Sequence, residues 1–106
     1  MAARTNTFSL RFVLEKEKLN GNNYADWIRN LRIVLRDEKK EEALDTPLPD
    51  EPTENAPATE SAYRRAYDAN QEVSCLMLAC MEHELQMQFE TNHKARDMIV
   101  ALQDMF

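Results

Sequence analysis

Residues 19–35 read Leu19-Asn-Gly-Asn-Asn-Tyr-Ala-Asp-Trp-Ile-Arg-Asn-Leu-Arg-Ile-Val-Leu35, and this stretch decides the fold. It holds the only tryptophan, Trp27, and the only glycine, Gly21. Apolar residues fall at Tyr24, Trp27, Ile28, Leu31, Val34 and Leu35. Steps of three and four residues place all of them on one side of an α-helix. Asn22 or Asn23 is expected to cap its start by accepting a hydrogen bond from a first-turn N–H. Gly21 supplies the tight backbone before it. Asp26 in the first turn and Arg29, Arg32 and Arg36 after it suit the helix dipole. Burying this side of the helix contributes roughly 10 kcal/mol gross, most of which conformational entropy offsets.

The chain has 106 residues, enough for one modest domain, with 30% charged and 43% hydrophobic residues. A single glycine argues against an all-β fold rich in tight turns and against a glycine-rich phosphate loop. Six Met and abundant Leu, Ala, Glu, Gln and Arg favour helix. No apolar run is long enough to cross a membrane, and the first residues lack a secretory signal's apolar region. Two cysteines in that setting read as reduced thiols in a cytoplasmic protein.

Charge is unevenly spread. Residues 1–36 carry seven basic and three acidic groups, a net of +4. Residues 37–60 carry two basic and nine acidic groups, a net of −7. Residues 61–106 carry four and seven, a net of −3. A net charge of −6 makes a poor partner for a phosphate backbone. The basic residues of the Trp27 helix read first as a solvated face.

Residues 1–7 read as a frayed end, and 1–18 together as a partly packed N-terminal arm. Phe8–Leu14 leaves strand, short helix and extended arm open, with Phe12, Leu14 and Leu19 expected to pack on the Trp27 helix. Residues 19–106 read as a single helical domain. Its first helix spans about Tyr24 to Lys39, fraying toward Leu44. The four prolines lie between Pro47 and Pro57, so 45–58 reads as an acidic, proline-rich loop. Thr59 or Ser61 is expected to cap the next helix. Its stripe runs Ala62, Tyr63, Ala66, Tyr67, Ala69, Val73, Leu76, Met77, Cys80 and Met81. A shorter piece, 82–90, pairs Leu85 with Phe89. Thr91 and Asn92 offer a break and a cap. A last helix from about Lys94 turns Ala95, Met98, Ile99, Leu102, Met105 and Phe106 inward. Ending on Phe106, with no polar tail, the chain reads as part of a longer polypeptide. The sum is an all-α bundle of three to five helices.

No constellation of residues predicts an enzyme. Cys75 and Cys80 lie five apart, about 140° around a helix, and cannot share a ligand face. Cys80 and His83 alone do not close a metal site. His83-Glu84 would need a second histidine where Met87 stands. His93 reads as solvated. Asp50 and Glu51 sit where nothing would hold their geometry. Neither a cofactor nor a metal ligand set is expected. The methionines at 77, 81, 87, 98 and 105 read mainly as core, with an adaptable interaction surface as the alternative.

One resemblance reaches further. The line Leu19-x-Gly21-x-Asn23-Tyr24-x-x-Trp27, followed by Leu31 and Leu35, resembles the amino-terminal part of the Gag polyprotein of copia-type LTR retrotransposons from plants. A spacer follows, then an aromatic-led helix from Tyr63, where many relatives have Trp. A closing helix, Ala95-Arg96-Asp97-Met98-Ile99-Val100-Ala101-Leu102-Gln103-Asp104-Met105-Phe106, completes the pattern, with Lys94 where many relatives have Thr. The likeness covers about residues 8–106. It implies a capsid-type domain that self-associates into virus-like particles packaging the element's RNA. Leu19, Gly21, Asn23, Tyr24, Trp27, Leu31, Leu35, Val73, Leu76, Leu102 and Phe106 would be its signature and core. Its partner would be itself, and RNA only indirectly, through a zinc knuckle beyond Phe106. Arg29, Arg32 and Arg36 against the acidic 37–54 segment would be a contact between neighbouring copies. The alternative is a domesticated Gag-like adaptor that binds a host helix or peptide. Direct RNA binding ranks below both.

Overall fold

The computed structural model describes residues 10–48 and 57–106. The expected end at 1–7, the start of the 8–14 stretch, and residues 49–56 of the acidic loop, with Asp50 and Glu51, lie outside the described residues. Six helices follow in order: α1 (Phe12–Lys16), α2 (Tyr24–Asp37), α3 (Glu42–Asp45), α4 (Pro57–Ala79), α5 (His83–Phe89) and α6 (Ala95–Met105). Among the described residues there is no strand, and the fold is an all-α bundle.

Helix α2 forms where its periodicity places it, and Trp27, Leu31, Val34 and Leu35 are its buried residues. It stops at Asp37 rather than fraying to Leu44. Lys39 takes a left-handed φ of 63°. The Lys40 N–H donates to the Leu35 carbonyl at 2.7 Å and the Lys39 N–H to the Arg36 carbonyl at 3.1 Å. That pair of bonds is a Schellman closure, a position normally held by glycine. With a lysine there the sequence carries no stop signal, and the chain turns at once into α3.

Two expected caps are not formed. Asn23 makes no side-chain bond to the first turn of α2. Its amide folds back instead, accepting from the Asn20 N–H at 3.0 Å and donating to the Lys18 carbonyl at 2.9 Å. Helix α4 begins at Pro57, so Thr59 and Ser61 lie inside it. Proline suits a first helical position because its missing N–H would have had no partner there.

One core joins all the helices. It contains Leu14 of α1, Leu19, the inner side of α2, Leu44 of α3, Val73, Leu76 and Met77 of α4, Cys80 and Met81 after it, Leu85 and Phe89 of α5, and Ala95, Met98, Ile99 and Leu102 of α6. Helix α6 packs on α3 and α4, α1 on α2, α3 on α4, and α5 on α4. The long α4 stripe divides in two. From Glu60 to Ala69 no residue is buried, whereas Asn70, Val73, Ser74, Leu76, Met77 and Cys80 are. Ala62, Tyr63, Ala66 and Tyr67 are therefore not core. Phe12, expected to pack on α2, is half exposed, as are Met105 and Phe106, expected inward. Met77, Met81 and Met98 are buried, while Met87 and Met105 face solvent.

Candidate functional site

The signature stretch builds a joint. The Cys80 carbonyl, at the end of α4, accepts from the Leu19 N–H at 2.9 Å and from the Trp27 indole N–H at 3.1 Å. The Glu82 N–H returns a bond to the Leu19 carbonyl at 3.0 Å, which makes an isolated parallel bridge between Leu19 and Met81. A carbonyl left over at a helix end is thus satisfied by two donors from the other half of the chain. Trp27 is buried around its ring and still finds a partner for its one donor. Gly21 has a φ of +91°, a conformation that costs a side-chain-bearing residue about 1–2 kcal/mol. The Phe106 ring lies over Gly21 and stacks on Tyr24, with centroids 5.3 Å apart. Burial raises the Tyr24 hydroxyl above its ordinary range, and Arg32 opposes that. Leu19 and Trp27 therefore meet at the Cys80 carbonyl, Gly21 and Tyr24 meet at the Phe106 ring, and Asn23 closes the turn between Lys18 and α2. Leu31, Leu35, Val73, Leu76 and Leu102 are buried in the shared core.

The arginines singled out in the sequence have partners inside the chain. Arg32 contacts Asp45 at 3.2 Å and Glu41 at 3.3 Å, and Arg36 contacts Glu41 at 3.4 Å. These pairs hold α3 against α2, and hydrogen bonding to Asp45 raises the Arg32 guanidinium above its ordinary range. Arg29 pairs with Asp26 at 3.0 Å on the exposed face of α2. A second ionic group was not legible in the sequence. Arg11, beside α1, pairs with Glu38 at 2.6 Å and Glu72 at 3.0 Å, and Lys40 also reaches Glu72. The group ties the α1 end to α4.

Cys75 is exposed and Cys80 buried. Burial pushes the Cys80 thiol up, away from the reactive thiolate. Among the described residues no group of three or more His, Cys, Asp or Glu side chains could hold a metal ion. No described helix is long and apolar enough to cross a membrane.

A groove of about 600 Å³ separates α3 and the residues after it from the outer half of α4. Ala43 lines one wall, and Ala62, Ala66 and Ala69 the other. Lys39 and Arg65 stand at its edge. Arg65 shares a helix face with the three alanines, which spacing alone shows. The opposite wall depends on the turn at Lys39, so the groove has no sequence signature.

No protein family, curated protein or solved structure was found to match the chain.

Proposed function

We propose that this chain is a structural self-association module of the Gag kind, working in the cytoplasm in the assembly of particles that package an element's RNA. RNA contact would belong to a zinc knuckle beyond Phe106. The observation that carries the reading is the joint at Cys80. The residues behind the resemblance, from Leu19 to Trp27, are spent on closing a helical scaffold, through two hydrogen bonds to one carbonyl. A scaffold closed in this way leaves its outer helix faces free for weak contacts that many copies multiply. Large apolar side chains on several elements remain exposed, among them Ile33, Met87 and Val100.

Light scattering coupled to size exclusion, over a concentration series of residues 1–106, tests it. Mass that grows with concentration is the expected result. A strictly monomeric chain would remove self-association from this segment and leave the adaptor role in its place.

A further inference from the structure

We propose that the groove beside α4 receives the α5 helix of a second copy of this chain, so that copies join head to tail. This rests on the self-association reading above and names its two surfaces.

The receiving surface carries alanines on both walls and two exposed cations, Lys39 and Arg65. Lys39 and Arg65 form no ion pair among the described residues, although the chain carries a net charge of −6. The other cation there, Lys40, is committed to Glu72, and among the described residues Glu42 is the one acidic residue in the lining. Alanine walls leave room for a side chain from outside.

The entering surface has the opposite character. Residues 82–90 contain Glu82, Glu84 and Glu90 and no Lys or Arg. Leu85 and Phe89 hold one side of α5 in the core. On the other side Met87 is 58% exposed, the most exposed of the large hydrophobic residues among those described. Glu84 and Glu90, three residues to either side, flank it on that face. An unbranched thioether adapts to a shallow alanine-lined groove better than a branched or aromatic side chain does. The two glutamates then meet Lys39 and Arg65.

The two surfaces sit at opposite ends of α4. From Ala66 to the end of that helix at Ala79 is roughly 20 Å at the usual rise per residue. Different patches meeting in this way make a heterologous contact, which propagates into rings or open filaments instead of stopping at a dimer.

The test uses two variants of the 106-residue chain, checked for helical content by circular dichroism. Lys39→Glu with Arg65→Glu disables the groove, and Met87→Glu disables the entering helix. Each alone is expected to stay at monomer mass where the parent grows, and more salt should weaken the parent's growth. An equimolar mixture should form a one-to-one dimer and stop, because each partner keeps one working surface. If the parent grows and either variant grows as it does, this contact is overturned while self-association stands. Monomeric variants whose mixture does not dimerise also overturn it. A parent that stays monomeric leaves the groove to an acidic segment of another protein and overturns both proposals. Should a variant lose helix content, Arg65→Gln and Met87→Gln are expected to reduce growth without abolishing it, and unchanged growth overturns the contact.

Discussion

Asn70 caps α6 from outside that helix. Its side-chain oxygen accepts from the Ala95 N–H at 2.9 Å, and its amide donates to the His93 carbonyl at 2.7 Å. The residue is 8% exposed and Ala95 is fully buried, so the bond between them is closed to water. Asn70→Ala should cost about 1–3 kcal/mol in urea denaturation, since it strands the buried Ala95 N–H at the start of α6. Asn70→Asp keeps the acceptor beside a helix start and should cost less. An alanine variant as stable as the parent would show that the cap contributes nothing. The sequence places caps near the break itself, at Thr91 and Asn92, and it is right about the break. The capping residue lies 25 positions before Ala95, on another helix, where spacing gives no hint of it. Trp27 is the reverse case. Its burial is legible from periodicity, but its bond to Cys80 requires α4 to end beside it.

At the scale of elements, the ion pairs explain why short helices stay attached. Helix α1 spans five residues and could not persist alone in water. Leu14 anchors it in the core, and Arg11 ties it to Glu38 and Glu72. The hydrogen bond from Lys40 is the largest influence on Glu72, and with Arg11 it holds that carboxyl below its ordinary value of 4.5. A carboxylate lowered in the folded state adds stability above the unfolded value, and that stability is lost as pH falls through the folded one. Stability should therefore decline as pH drops below about 4.5, and Glu72→Gln should flatten part of that decline. Urea midpoints measured over that range would reveal it, and parallel curves for parent and variant would dismiss it. The effect is modest because Glu72 is nearly half exposed. Helix α4 shows what periodicity cannot separate. Its apolar stripe is continuous from Ala62 to Cys80, yet only the part from Asn70 onward is buried. Ala, Glu and Arg sustain the outer half as helix through propensity without burial.

At the scale of the molecule, a single core links every helix, from Leu14 to Leu102. Unfolding should be a single transition, with Trp27 fluorescence and far-ultraviolet circular dichroism falling together in urea. Fluorescence changing well before helicity would mean that α2 docks on an independently stable remainder. The all-α class, the inner side of α2, the Leu85–Phe89 pair and the break before α6 were determined by the sequence alone. They depend on residue spacing and local chemistry, which act within a few positions along the chain. The tertiary structure alone decided that Arg32 and Arg36 pair with Glu41 and Asp45 of the same chain. It alone laid Phe106 on Tyr24, paired Leu19 with Met81, and opened the groove between α3 and α4. These contacts join residues far apart in the chain, and a local pattern can state that a surface is apolar or charged without stating what it meets. The turn at Lys39 is the physical reason the two readings part: one left-handed residue, unmarked by glycine, redirects the acidic segment back onto the helix before it.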